Sequence, residues 1–192
     1  IAVSALTGAI EKSPALVVAI IEGPCMGAAV HLAMACDLRI AVEGAEIRVP
    51  ATQLGLLYNP SAIYGLKRRL SWETLSRLFV LGEKFGAQSA CRAGLVGEDV
   101  HPRDVDARIA ELVKRADSND ARAMVLTKTL LCELSNGVAD SDAWHEIYTE
   151  LLEAPSRAAA VTEMKQRLGL KTGLKTGLKT GLQNPAVQNV QN

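Results

Sequence analysis

The chain has 192 residues, which is enough for one domain with a sizeable core or one domain with an appendage, and which argues against two full domains. Hydrophobic residues make up 48% of it and charged residues 22%, and 21 Lys and Arg side chains balance 21 Asp and Glu side chains. This balance argues against nucleic acid or an anionic membrane surface as a partner, and it favours a small molecule or another subunit.

The cysteines are interpreted as reduced core thiols of a cytoplasmic protein. They form no C-x-x-C pair, no compact disulfide pattern and no group with histidine at metal-ligand spacing, so no metal site is expected; they are Cys25, Cys36, Cys91 and Cys132. The longest apolar run, Ala15 to Ile21, is far too short to cross a bilayer, and we expect neither a membrane span nor a targeting signal.

The first quarter of the chain has the pattern of an α/β unit. After a helix-like opening, Ala15 to Glu22 is predicted to be a strand buried on both faces, because it is a short β-branched-rich apolar run that Gly23-Pro24 ends. A helix is predicted next, from Gly27 to Cys36. Two strands follow it, from Asp37 to Val42 and from Ala45 to Pro50, with a turn at Glu43-Gly44 between them. This order favours a crossover unit with a parallel sheet.

From Asn59-Pro60 onward the pattern becomes helical. Three helices with short breaks come first, with Ser71 as a helix cap, at Ser61 to Leu70, Ser71 to Gly82 and Ala87 to Val96. Four more follow, near Asp104 to Ala116, Asp120 to Leu134, Ser141 to Leu152 and Ser156 to Gly169. Three GLKT repeats then span Gly169 to Thr180, and a glycine every four residues predicts a disordered low-complexity tail rather than a helix.

The stretch EGPCMGAAVHLAMACD, Glu22 to Asp37, is the first candidate site. A strand that ends in a Gly-Pro turn leads into a helix whose first residues are small, so backbone N–H groups at the positive end of the helix are left open. Such an end holds developing negative charge on an oxygen, with the Ala28 N–H as the natural donor. Tight packing of the helix on the sheet favours the same small residues, so both interpretations stand on this pattern alone.

Two longer stretches carry a family resemblance. VVAIIEGPCMGAAVHLAMACDLRIA and LGLLYNPSAIYGLKRRLSWETLSRLFVLGEKFGAQSACRAGLVGEDVHP resemble the enoyl-CoA hydratase/isomerase (crotonase) family. The resemblance is strong over Pro14 to Pro102 and looser to about Leu168. The resemblance is specific because four motifs occur in combination. They are the Gly-rich turn, the Cys-Asp end of its helix, the Leu-Gly element and the Ala-Gly-Leu-Val helix end.

The resemblance implies a spiral ββα core (ClpP/crotonase-like) that is incomplete at its N-terminus and is followed by C-terminal helices. It implies three regions: core and first helices in residues 1–102, a helical trimerisation or lid region in 103–168, and the tail in 169–192. Family members assemble as trimers or dimers of trimers and bind acyl-CoA thioesters, so we expect a homotrimer or hexamer and no cofactor beyond the coenzyme A of the substrate.

The resemblance also implies an oxyanion hole, in which two N–H groups polarise the thioester carbonyl and stabilise an enolate. The Ala28 N–H stands where the family's second donor lies, and Cys25, Met26 and Gly27 are expected to line the substrate. The first donor belongs to an upstream segment, so the chain resembles a truncated member.

Both glutamates of the family's hydratases are replaced in this chain. His31 stands where one lies in the first turns of the helix, and Ala51 stands where the other follows a proline. Hydration needs acid and base groups to activate water and deliver a proton, so an ordinary hydratase is not expected. His31 is either a neutral base or donor at a helix N-terminus, or a histidine that fills the pocket and hydrogen-bonds backbone.

Tyr58 is the third catalytic candidate. LGLLYN is similar to a stretch of methylmalonyl-CoA decarboxylase-like members, in which the tyrosine lies against the acyl group. A phenol there orients a carboxylate or protonates an enolate without any glutamate. The other interpretation is a half-buried aromatic that caps the next helix.

Basic residues at two places are weaker candidates. Lys67, Arg68 and Arg69 either meet CoA phosphates or form a solvated helix face, and the solvated face is favoured. Lys165 and Arg167 lie on the last helix, where family members reach a neighbouring subunit's CoA.

These observations together predict an acyl-CoA enzyme of the enoyl-CoA hydratase/isomerase family, with a place in fatty acid metabolism. Lyase chemistry of the decarboxylase kind fits Tyr58 and the missing glutamates better than hydration does. The alternative is a catalytically silent crotonase-fold protein that binds CoA ligands or serves as an oligomer subunit.

Overall fold

The first sheet is parallel and holds the predicted crossover. A computed structural model describes residues 2–169, in which β1 (Val18–Ile21), β3 (Leu38–Val42) and β6 (Glu98–Val100) form a sheet in the order β1-β3-β6. Val18 lies opposite Leu38, and both pairings are parallel. Helix α2 (Ala28–Ala35) lies between β1 and β3 in the chain, so the predicted strand-helix-strand unit is confirmed.

A second small sheet holds the turn that precedes α2. It consists of β2 (Pro24–Met26), β4 (Glu46–Arg48) and β5 (Phe85–Gly86), with β2 parallel and β5 antiparallel to β4. The turn at Glu43-Gly44 is confirmed, since the Ala45 N–H donates to the Val42 carbonyl over 2.8 Å, but the strands it joins belong to different sheets. The strands β2, β5 and β6 were not predicted, because two or three residues are too few to show an alternating pattern.

The prediction that β1 is buried on both faces is wrong. Of its four residues only Ile21 is buried, and the strand begins at Val18 rather than Ala15. The reason is its position, because β1 pairs with β3 and lies at the edge of its sheet within the described residues. An apolar run does not distinguish an edge strand from a central one.

The predicted helix cap at Ser71 is in place, and Asn59 provides a second cap that was not predicted. The Asn59 side chain accepts the Ser61 N–H over 3.0 Å at the start of α3 (Pro60–Lys67), and the Ser71 hydroxyl accepts the Thr74 N–H over 3.1 Å. Helix α4 (Trp72–Leu75) continues as a π-helical turn, Ser76–Val80, where one continuous helix was predicted. Helix α5 (Ala87–Arg92) ends earlier than predicted, ahead of Gly94 with its φ of 74°.

The remaining helices match their predicted positions to within a few residues. An N-terminal helix, α1 (Ala2–Lys12), confirms the helix-like opening. The later ones are α6 (Val105–Asp117), α7 (Ala121–Asn136), α8 (Ser141–Glu153) and α9 (Pro155–Arg167). The described residues divide into two compact units, 2–140 and 141–169. Apart from Gly169, the predicted low-complexity tail lies outside the described residues.

One core lies between the sheets and the helices of the first unit. Its largest fully buried side chains are Phe85, Ile40, Leu78, Leu95, Val30 and Val49. The prediction of four core thiols holds for Cys25 and Cys36, whereas Cys91 and Cys132 are half-buried because they lie on helices at the surface; all four are unpaired. None of the described helices is long and apolar enough to cross a membrane.

Candidate functional site

The Gly-rich turn has a backbone conformation that requires glycine. Gly27 precedes α2 with φ 54° and ψ −115°, a region in which a Cβ is strained. Its N–H donates to the Arg48 carbonyl over 3.0 Å, which joins the turn to β4. Its carbonyl accepts the Val30 N–H over 3.0 Å and the His31 N–H over 3.4 Å, so that oxygen points into the helix.

The next peptide N–H, that of Ala28, is open to a ligand. The peptide is trans, so the Ala28 N–H points opposite to the Gly27 carbonyl and away from the helix. Neither the Ala28 nor the Ala29 N–H donates a hydrogen bond to any residue the structure describes, and both residues are exposed. Apart from Gly27 and its two chain neighbours, no heavy atom of the described residues lies within 4 Å of the place where a Cβ on Gly27 would be. The turn therefore presents an unused donor to accessible space.

The two residues before Gly27 point in opposite directions, as successive residues of a strand do. Cys25 is buried, and burial raises the pKa of its thiol. Met26 is exposed beside the turn. A groove of about 420 Å³ runs between α1 and the turn, and Cys25, Ala29 and Ala33 are among the residues that line it.

His31 is a neutral imidazole at physiological pH. Burial lowers the pKa of His31, and the nearby Glu11 carboxylate opposes that shift without reversing it. The expected lowering of the His31 pKa is thus confirmed. Its largest cause is burial, whereas the sequence predicted the helix N-terminus as the cause. The side chain makes no hydrogen bond to the described residues, so the predicted bond to backbone is absent from this part of the chain.

The position that the resemblance assigns to the second family glutamate holds a methyl group. Ala51 is buried at the start of a short 3₁₀ turn, Thr52–Leu54. It can neither donate nor accept a proton through its side chain.

Tyr58 lies between that 3₁₀ turn and α3, with its ring half-buried on the core. Its ring centroid is 5.2 Å from that of Phe79, with the planes tilted by 33°. Burial raises the pKa of Tyr58, and the Cys25 thiol raises it further, so the phenol stays protonated near neutral pH. Its hydroxyl has no hydrogen-bond partner in the described chain, yet it is not a buried unsatisfied atom, so it reaches solvent. Asn59, rather than Tyr58, caps α3.

Cys25, which contributes to the raised pKa of Tyr58, lies two residues before Gly27 in the sequence. This interaction relates Tyr58 to the Gly-rich turn. His31 instead responds to Glu11 of α1. Lys165 and Arg167 lie in the last turn of α9 in the second unit, where Arg167 pairs with Glu163 at 2.6 Å.

Sequence reasoning missed a bridge behind the turn. The Arg48 guanidinium donates to the Gln53 side-chain oxygen over 2.5 Å and to the Gly82 carbonyl over 3.0 Å. Gln53 in turn donates to the Leu81 carbonyl over 3.4 Å. Because the Arg48 carbonyl also holds the Gly27 N–H, one residue connects the turn to the loop before Tyr58. Apart from the bond between Arg48 and Gln53, these contacts join residues far apart in the chain, so no local pattern could have indicated them. Among the described residues, no cluster of His, Cys, Asp and Glu is suited to a metal ion.

Comparison with known proteins identifies the fold and the family. The family model described as enoyl-CoA hydratase/isomerase matches residues 2–166. YngF of Bacillus subtilis (strain 168), which bears the name of an enoyl-CoA hydratase/isomerase, is 29% identical over 135 residues, or 68% of this chain and 52% of YngF. The chain thus spans about half the length of this curated relative.

Solved structures have the same fold. An enoyl-CoA hydratase/isomerase from Marinobacter aquaeolei superposes with a TM-score of 0.74 at 26% identity, over 86% of this chain and 64% of that one. A methylmalonyl-CoA decarboxylase in complex with 2-nitronate-propionyl-CoA superposes with a TM-score of 0.67 at 20% identity, over 86% of this chain and 65% of that one, a likeness of fold alone. The predicted crotonase fold is therefore confirmed, and the chain belongs to the enoyl-CoA hydratase/isomerase family.

Proposed function

We propose that this protein acts on an acyl-CoA thioester and stabilises the enolate of that thioester with the Ala28 N–H. An N–H donor that faces accessible space and has no internal partner strengthens its bond as charge develops on the thioester oxygen. The small side chains of Ala28 and Ala29 let the thioester approach the backbone. Family membership supports the substrate class, since crotonase-fold proteins are generally acyl-CoA enzymes.

The observation that carries the choice of reaction is the protonated hydroxyl of Tyr58, which has no hydrogen-bond partner among the described residues and whose side chain packs on the same core cluster as Cys25. Neither position of the family's glutamates holds a carboxylate, and no carboxylate of the described residues shifts the pKa of Tyr58. Hydration would need such groups to activate water. Decarboxylation generates its own enolate and then needs a proton donor, which a phenol with a raised pKa supplies.

The proposed reaction is the decarboxylation of a malonyl-type thioester. The bond between Cα and the carboxylate of a malonyl-type thioester breaks, carbon dioxide leaves, and the electron pair forms an enolate whose oxygen accepts the Ala28 N–H. The Tyr58 hydroxyl donates its proton to Cα, which gives the acyl thioester. Solvent then returns a proton to the phenolate, so one proton is consumed for each carbon dioxide released.

The other candidate residues take supporting roles in this proposal. His31, neutral and free of hydrogen bonds to the described residues, donates to or accepts from the substrate's polar group. The backbone of Cys25 and Gly27 and the exposed Met26 side chain line the acyl group. Lys165 and Arg167 reach the CoA of a neighbouring subunit in a homotrimer or hexamer, and no separate cofactor takes part.

A substrate panel tests the reaction. The protein is assayed for loss of carbon dioxide from malonyl-CoA and methylmalonyl-CoA, and for hydration of crotonyl-CoA. We expect decarboxylation that Tyr58→Phe abolishes and that Tyr64→Phe, an exposed tyrosine on α3, leaves unchanged. Hydration of crotonyl-CoA at about 1 per second or faster would contradict the proposal.

A catalytically silent CoA-binding protein is the second candidate, favoured by Ala51 and His31 at the two glutamate positions. Two measurements together distinguish a silent protein from an enzyme. They are the turnover of the substrate panel and a calorimetric titration with acetyl-CoA, in which free CoA is the control. Acyl-dependent binding without turnover of any malonyl-type ester supports the silent protein. Turnover that depends on Tyr58 excludes it.

A further inference from the structure

One cavity of the first unit lies away from the Gly-rich turn. It has a volume of about 880 Å³ and is bounded by Leu16 before β1, Leu38 at the start of β3, Ala35 at the end of α2, and one side of α7. Helix α2 begins at the turn and runs to this cavity, and its eight residues make it about 12 Å long. The cavity therefore lies at the opposite end of α2 from the Ala28 N–H.

Apolar side chains converge on this cavity without filling it. Leu16 is 40% exposed, Leu38 is 37% exposed and Leu131 of α7 is 63% exposed, and all three line it together with Met124. Leucines left exposed around one concave space are typical of a site for an apolar group.

The carboxylates of the cavity are already engaged. One Asp37 oxygen accepts both the Lys128 ammonium and the Val17 N–H over 2.7 Å. The Asp120 side chain caps α7 by accepting the Ala123 N–H over 2.8 Å. Glu11 lies 3.5 Å from the Arg69 guanidinium.

Two of the four basic side chains in the cavity lack such a partner. Arg68 donates to the neutral Asn136 amide oxygen over 2.7 Å, and Arg39 donates to the carbonyls of Leu95 and Cys36 over 3.0 and 2.8 Å. No carboxylate of the described residues lies within 4.0 Å of either guanidinium. Burial, and then the charge of Arg69, lowers the pKa of Arg39, and Cys36 and the Asp37 carboxylate oppose that shift without reversing it.

We propose that this cavity binds an amphipathic organic anion, with its carboxylate or phosphate head at Arg68 and Arg39 and its apolar body against Leu16, Leu38 and Leu131. Guanidinium groups bind both kinds of head by charge-assisted paired hydrogen bonds. This site is separate from the proposed acyl-CoA site and does not depend on it.

Calorimetric titration of the full chain with four probes tests the site. Decanoate and decyl phosphate carry the two heads on one apolar body, decanol lacks the charge, and inorganic phosphate lacks the apolar body. We expect one of the two anions to bind saturably at one site, with decanol at least about tenfold weaker and phosphate alone not bound. Whether decanoate or decyl phosphate binds more tightly identifies the head group.

Variants locate the binding. Arg68→Gln should weaken it about tenfold, whereas Arg103→Gln, an exposed arginine beside Asp104, should leave it unchanged. Thr127→Trp should abolish binding by filling the cavity from α7 while every arginine remains. An excess of acetyl-CoA should leave the affinity unchanged.

Three outcomes would overturn the proposal: neither anion binds, Arg68→Gln and Thr127→Trp bind as the parent does, or acetyl-CoA displaces the anion. Circular dichroism of each variant confirms that it is folded. If one variant does not fold, the other still decides.

Discussion

The Gly27 N–H donates to the Arg48 carbonyl over 3.0 Å, and this bond anchors the peptide directly before the one from which the Ala28 N–H points outward. Arg48 also holds the loop before Tyr58 through Gln53 and Gly82. The orientation of the proposed oxyanion donor therefore depends on a strand that lies about twenty residues further along the chain.

Gly27→Ala should destabilise the protein and reduce activity together. A Cβ at φ 54° and ψ −115° strains the backbone by about 2 kcal/mol, although no atom crowds it. Urea unfolding measures the loss. Gly65→Ala is the matched control, because Gly65 is exposed within α3, where alanine should raise the unfolding free energy by about 0.5 to 1 kcal/mol. Equal urea midpoints for Gly27→Ala and the parent would contradict the strain.

Tyr58→Phe should reduce turnover at least about 100-fold, the usual contribution of a positioned proton donor. Its unfolding free energy should change by less than about 0.5 kcal/mol, because the ring keeps its contact with Phe79 and the hydroxyl has no partner among the described residues. Steady-state kinetics and urea unfolding are measured on the same preparations, with Tyr64→Phe as the control. A large loss of stability would show that the hydroxyl has a structural role.

The unfolding free energy should fall as the pH falls from 7 to 5, and His31 should account for part of the fall. Burial lowers the pKa of His31 in the folded state below its ordinary 6.5, so the unfolded chain takes up this proton first. The stability from His31 is present above pH 6.5 and is lost as the pH drops toward the lowered pKa.

Comparison of His31→Gln with the parent isolates this effect from other titrating groups. The variant should show a shallower loss of stability over that pH range. Glu11→Gln should lower the pKa of His31 further, as followed by NMR, since it removes the charge that opposes the shift. A rise in that pKa would mean that Glu11 does not act on His31 as the structure indicates.

Lys128→Met should destabilise the first unit by about 2 kcal/mol. The Lys128 ammonium donates to the Asp37 carboxylate and to the Ala15 carbonyl, both over 2.7 Å, and only 14% of its side chain is exposed. Lys84→Met removes a pair of the same length with Glu46, but the lysine side chain there is 56% exposed, so its loss should cost less than about 0.5 kcal/mol. Equal costs in urea unfolding would mean that burial does not set the strength of these pairs.

The sequence by itself determined the local structure and the family. The cap at Ser71, the crossover helix after Gly27 and the turn at Glu43-Gly44 all follow from residue types at neighbouring positions, and the structure confirms them. The resemblance also assigns the positions of both family glutamates to His31 and Ala51, which stays a prediction from the sequence. Local steric and hydrogen-bonding preferences act over a few residues, which is why a pattern is enough to indicate them.

Only the tertiary structure decided what depends on contacts between distant residues. An apolar run did not reveal that β1 is an edge strand, because its burial depends on which strands pair with it. The lowered pKa of His31 comes chiefly from burial, and the raised pKa of Tyr58 from burial and from Cys25, which lies 33 residues away in sequence. The contacts of Arg48, Arg39 and Arg68 likewise join residues that are distant in the sequence. Packing of the folded chain brings those groups together.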